Sequence, residues 1–337
     1  MQEIIRILFL SDIHSIHPKD RVPIDDVKIA LQILKFLGQC ARYFWFKTRL
    51  AEKLKEAWYQ VNRTYIQRAL SQIAEEGPYD ETVLLGDQVH GYQDQGMVTP
   101  LTRKAGRRIK KLILKLFGRM IALAGGHETG YILASGAWGK VGISQKSLEA
   151  HQTIYGEMHG VKEVAPGLNL IWLSSEPFMV HRQWQHHFQP EQLDWLNQQR
   201  QTELDFLQKT LEETRGKFIL AVHDSGALLS SDLQEVLKPY QERLLVTLCG
   251  HFHARWVANL YYYWHFLNRQ FKEVSWQYHV QIVPSVWGII IATPLGFWHP
   301  GAGWAEVLVN LTSHKVSLLI HYFSKRPTKK IDLGSIC

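Results

Sequence analysis

The sequence predicts an α/β fold of mixed strands and helices, and three observations carry that prediction. Nine short apolar, β-rich runs recur along the 337 residues, and several are separated by segments of helical periodicity. Four of five segments rich in Asp and His follow directly on such runs. In α/β folds ligands bind at the ends of strands, so side chains far apart in sequence converge on one crevice.

The first strand is expected at 4–10 (IIRILFL), directly before Asp12-Ile13-His14. The clearest helix follows at about 49–76, where Leu50, Leu54, Trp58, Val61, Tyr65, Ala69 and Ile73 recur at helical spacing and Gly77-Pro78 ends the run. A strand at 82–85 precedes Gly86-Asp87, and one at 119–124 precedes Gly125-Gly126-His127-Glu128. After a strand at 169–174, a helix near 190–214 begins at Pro190-Glu191, carries Leu193, Leu196, Leu204, Leu207 and Leu211, and stops at Gly216. A strand at 217–222 leads to His223-Asp224; a helix near 230–242 leads into a strand at 244–249 and Gly250-His251-Phe252-His253. Strands at 279–283, 305–311 and 315–322 close the pattern, with no internal repeat or low-complexity linker.

Composition narrows the class. Hydrophobic residues at 46% and charged residues at 20% exclude a disordered chain, and 12 Trp with 13 Tyr point to aromatic packing. The formal net charge is +7, yet Arg103, Lys104, Arg107, Arg108, Lys110, Lys111, Lys115 and Arg119 supply eight positive charges with no acid among them. The rest of the chain is therefore one unit acidic, and the basicity is a local patch. Cys40, Cys249 and Cys337 form no CxxC pair, which fits reduced thiols and a cytoplasmic setting. Met1-Gln2-Glu3 runs straight into the first strand, so no secretory leader is expected. The apolar stretch 283–298 is broken by Pro284, Gly288, Pro294 and Gly296, so it does not read as a membrane span.

The motifs suit metal chemistry. Asp12 and His14 are two apart, as are His251 and His253, so each pair projects from one face of an extended backbone and can chelate. Asp87 after Gly86 places a carboxylate on a tight turn, where it can bridge two cations. Two ions about 3.5 to 4 Å apart generate hydroxide at neutral pH and clamp the attacking and leaving oxygens of an in-line displacement at phosphorus. Mixed His and carboxylate donors fit Mn, Fe or Zn better than Ca or an all-oxygen Mg site.

As an ordered set these segments resemble the calcineurin-like metallophosphoesterase superfamily, whose pattern is DxH, GDxx, GNH(D/E), a lone His after a strand, and GHxH. The resemblance runs from about Ile5 to His253 and includes Pro190 to Leu211. It implies a four-layer sandwich of two mixed β-sheets flanked by helices. It also implies a dinuclear centre with Asp12, His14 and His253 on one metal, Asp87 bridging, and His223 and His251 on the second. His127, steadied by Glu128, would protonate the leaving oxygen. The implied activity is hydrolysis of a phosphomonoester or phosphodiester by a metal-bound hydroxide. Gly126 departs from the pattern, because the family has Asn there; the second metal site is then weak or filled only with substrate. A noncatalytic phosphate-binding or scaffolding protein on the same fold is the alternative.

The chain reads as one domain, 1–337, with insertions at about 25–48, 97–118 and 254–278. His17 and His90 are either supporting residues near the ligands or ordinary loop histidines. In the basic insertion, Ile109, Leu112, Ile113, Leu116 and Phe117 form an apolar stripe opposite the cations. Either 103–119 lies on an anionic membrane, which would allow lipid head groups as substrates, or the stripe packs on the domain and the charges are solvated. The aromatic insertion 254–278 follows the last ligand motif and is expected to emerge beside the metals, as a substrate lid, a subunit interface or a structural cluster. No specific nucleic-acid binding is expected.

Overall fold

A computed structural model describes residues 3–15, 63–89, 97–129, 145–179, 190–251, 268–286, 302–324 and 326–336. The insertion at 25–48, residues 254–267 of the third insertion, and His17, His90 and His253 lie outside the described residues.

Two mixed sheets form the centre. One has the order β11-β10-β9-β1-β2-β3, from Lys329–Ser335, Lys315–Tyr322, Gly303–Asn310, Ile4–Leu10, Glu81–Leu84 and Ile121–Ala122. The other has the order β4-β5-β6-β7-β8, from Gly160–Ala165, Leu168–Trp172, Lys217–Val222, Leu244–Cys249 and Val280–Ile282. In the first sheet β1 pairs in parallel with β2 and antiparallel with β9; in the second, β5 to β8 are parallel and β4 is antiparallel. Each sheet is therefore mixed, as the motif resemblance implies.

Strand periodicity explains why β1 carries apolar residues toward both of its faces. Ile7 and Phe9 enter the core between the sheets with Leu170, Ile219, Val246 and Val307, whereas Leu8 and Leu10 face the opposite way, under helices. Full burial of each such side chain contributes roughly 1.5 to 3 kcal/mol. The helices covering the first sheet are α1 at 63–75, α2 (Pro100–Phe117) and α4 (Gln145–Tyr155), and the single turn α3 (Gly126–Thr129) sits at the sheet's end. The second sheet is covered by α5 (Pro190–Glu213), α6 (Ser231–Leu237) and α7 (Asn268–Gln277). The order of layers is helices, sheet, sheet, helices.

Three expectations change in detail. The strand at 119–124 contracts to Ile121–Ala122, because β3 is an edge strand with only two residues registered on β2. The helix at 230–242 ends at Leu237 and continues as 3₁₀ turns over Lys238–Arg243, since Pro239 has no N–H to donate and its ring would clash with an α-helical carbonyl. The aromatic insertion does not bring its described part to the ligand-bearing strand ends. Phe271, Val274 and Tyr278 pack in the core under the second sheet, and Trp276, 83% exposed, stands at the other end of β7.

The basic insertion is a helix with a built start and stop. Thr99 caps α2 by accepting from Thr102 N at 3.1 Å, Pro100 suits the first turn, and Gly118 ends it at φ 80°. Ile109 and Ile113 are buried, and Leu112, Leu116 and Phe117 pack beside them on α1 and the sheet. The apolar stripe is therefore covered by the domain itself.

Candidate metal centre

The loops after β1 and β2 run together past the strand ends. Asp12 N donates to Gly86 O (3.2 Å), His14 N to Asp87 O (2.9 Å) and Ser15 N to Gln88 O (2.9 Å). Asp12, His14, Asp87 and His251 all hold positive φ, between 49° and 62°, a conformation non-glycine residues rarely adopt. Such local strain persists where surrounding structure enforces it, and it turns these four side chains into the crevice.

Asp87 is the hub. Its Oδ1 accepts from His127 N at 2.9 Å, and its Oδ2 lies 3.3 Å from His223 Nε2. The His223 ring is fixed from behind, because Nδ1–H donates to the Leu85 carbonyl at 2.7 Å and so aims Nε2 at Asp87. Burial alone would raise the Asp87 pKa, but His223, His127 and His14 outweigh it and hold the carboxyl well below its usual range. The converse holds for His223: burial opposes its charge, yet Asp87 and Asp12 raise it well above the ordinary imidazole value. Close approach here requires glycine. A Cβ on Gly125 would collide with the Asp87 carboxylate and fall 2.8 Å from His223 Nε2.

The donors meet in two groups that share Asp87. Ligand atoms of His14, Asp87 and His127 lie within 4.8 Å of one another, and so do those of Asp87, His223 and His251. Asp12 is fully buried next to the first group, with Oδ1 4.0 Å from His14 Nε2. Its Oδ2 accepts from Ser11 Oγ, and its carbonyl accepts from Ser285 Oγ at 3.1 Å. Imidazole nitrogens and carboxylate oxygens in two groups that share Asp87 form candidate sites for divalent cations. Within the first group, the His127 ring lies 4.6 Å from that of His14 in a T-shaped contact.

Glu128 sits behind this arrangement. Its fully buried carboxylate accepts from Asp87 N (2.7 Å), Gly125 N (2.9 Å) and Val89 N (2.8 Å), so it binds the β2 loop to the β3 turn. Burial and the Asp87 charge push its pKa up to about 8, against the pull of those backbone donors.

Sequence reasoning assigned no role to three neighbours. Asp224 Oδ2 stands 3.4 Å from His251 Nε2, while Oδ1 accepts from Gly226 N at 2.7 Å. Glu176 is buried beneath, accepting from Ser174 Oγ (3.2 Å) and Ser175 Oγ (3.3 Å), and burial lifts its pKa to about 7. Ser285 arrives from the strand end after β8 through a bridge to Ser11. Only Asp224 had a visible signal, its place beside His223 at a strand end.

Residues 5–255 match the model of the calcineurin-like phosphoesterase family. Among solved structures, the chain is similar to a single mutant of Vps29 from Entamoeba histolytica, at 10% identity and a TM-score of 0.35, over 97% of this chain and 99% of that one. It is also similar to Vacuolar Protein Sorting 29 from Cryptosporidium parvum, at 8% identity and a TM-score of 0.36, over 98% of this chain and 97% of that one. No curated protein matches the sequence.

Proposed function

Because this chain belongs to the calcineurin-like phosphoesterase family, we propose that it hydrolyses a phosphomonoester or phosphodiester at the centre built on Asp87. The observation that carries this reading is the membership of one buried carboxylate in both donor groups. Asp12, His14 and His253 would hold one cation, His223 and His251 the other, with Asp87 between them. When bound, the pair of cations supplies a strong nucleophile at neutral pH and compensates charge on the phosphoryl oxygens. His127, whose backbone N–H is anchored on Asp87 Oδ1, would give a proton to the leaving oxygen. Glu128 keeps that anchor in place through three backbone donors.

Gly126 favours one rival. Without the family's Asn, the second cation loses a side-chain ligand, and a noncatalytic phosphate-binding scaffold is the reading that follows from that loss. Hydrolysis of chromogenic phosphomonoester and phosphodiester substrates with added Mn separates the two. Wild type is expected to turn over at least ~100-fold faster than Asp87→Ala and His127→Ala. Equal inactivity of all three with Mn, Fe and Zn would leave the scaffold reading standing.

A further inference from the structure

The apolar side of α2 is buried, so the helix cannot embed that side in a bilayer, and any contact it makes is through its outward, largely cationic face. Arg103, Lys104, Arg107, Arg108, Lys111 and Lys115 fall within an arc of about 140° at 3.6 residues per turn, opposite Ala105, Ile109 and Ile113. The arc extends about 18 Å along the axis at 1.5 Å per residue. Among the described residues, no carboxylate pairs with any of these six. Lys110 differs: its ammonium donates to the Ile154 carbonyl and is drawn out of the arc. Arg63 of α1 adds a cation beside Arg108, whose pKa is lowered by burial and by that neighbouring charge. Among the described residues, like charges are thus held together with no carboxylate to relieve them.

Two further features point to the occupant. Leu114 lies inside the cationic arc and is 38% exposed, an apolar side chain among ammonium and guanidinium groups. Residues 100–116 contain no aromatic side chain on which a base could stack. A leucine framed by cations suits the boundary between lipid head groups and acyl chains, and suits a nucleic-acid backbone poorly. The placement is also informative. Met97 N, just before α2, donates to Glu128 O at 3.0 Å, so the helix begins beside the metal centre and runs away from it along the flank.

We propose that the outward face of α2 docks the protein on an anionic membrane surface, with Leu114 entering the interface and the Arg103 end holding the metal centre near the lipid head groups. Binding of this kind is independent of whether the centre is catalytic.

Flotation with vesicles of phosphatidylcholine and phosphatidylglycerol in equal parts, compared with pure phosphatidylcholine, tests it. The protein is expected to float with the anionic vesicles only and to be released by raised salt. The double variant Arg107→Glu/Lys111→Glu should weaken binding about 30-fold or more, while Lys209→Glu, on the far side in α5, should leave it unchanged. Leu114→Ser should weaken binding at constant charge, with melting curves confirming that both variants fold. No flotation with anionic vesicles, or undiminished flotation of the double variant, overturns the proposal. So does a result in which Leu114→Ser binds normally and duplex DNA displaces the vesicles, since the face would then recognise polyanions of another class.

Discussion

The second sheet has two edges that look equally polar in sequence and behave oppositely in structure. At the C-terminal ends of β6 and β7, buried His223 and Asp224 and half-buried His251 meet Asp87 and Glu128, with Asp87 and His251 held at positive φ. At the N-terminal ends, Lys217, Glu242, Lys272, His279 and Asp332 line an open cleft of about 510 Å³ with Trp276 on it. The cleft is open to solvent, and the opposite edge gathers the buried ionisable groups. Ionisable groups are left buried only where partners or cations compensate them, which makes concentration of buried charge a better mark of a reaction site than the size of a hollow.

The largest effect that would sharpen this contrast is expected at Glu128. Glu128→Ala strips the acceptor from three buried backbone N–H groups, and the loss should be about 3 kcal/mol or more by chemical denaturation. A loss below ~1 kcal/mol would mean that the loops are held by something else. Next is Asp224→Asn, which weakens the orienting contact to His251. Calorimetry with Mn or Zn should show affinity at one of two sites falling ~10- to 100-fold. Unchanged affinity at both sites would remove Asp224 from the centre. The smallest effect belongs to the other edge: Trp276→Ala, at a side chain already in solvent, should shift stability by no more than ~0.5 kcal/mol and leave metal binding untouched. Altered metal affinity there would break the distinction between the edges.

Much of this site was legible because strand and ligand are adjacent in sequence. Runs such as IIRILFL and LLVTLC are short and β-rich and so read as strands, and a polar residue directly after them falls at the strand's end. The covering helices with regular leucine spacing were legible for the same reason. Elements whose identity depends on a partner were not. β4 alternates exposed and buried residues with Lys162 and Glu163 inside it, and β11 is largely exposed; each is a strand because β5 or β10 offers a free edge. Trp276 and Tyr278 belong to one aromatic run, yet one is in solvent and the other fully buried.

What the sequence determined by itself is the inventory: which strands lead into the Asp- and His-bearing segments, which helix carries the positive charge, and that Gly126 stands where its family places Asn. Tertiary structure alone decided the contacts. It made Glu128 a clasp on three backbone donors, set Asp224 against His251, brought Ser285 to Asp12, and turned the apolar stripe of α2 into the core so that its cations face outward. The physical reason is range. Hydrophobic periodicity acts between neighbours along the chain, whereas a buried carboxylate finds its donors from segments tens or hundreds of residues away, and their meeting is set by how sheets and helices pack.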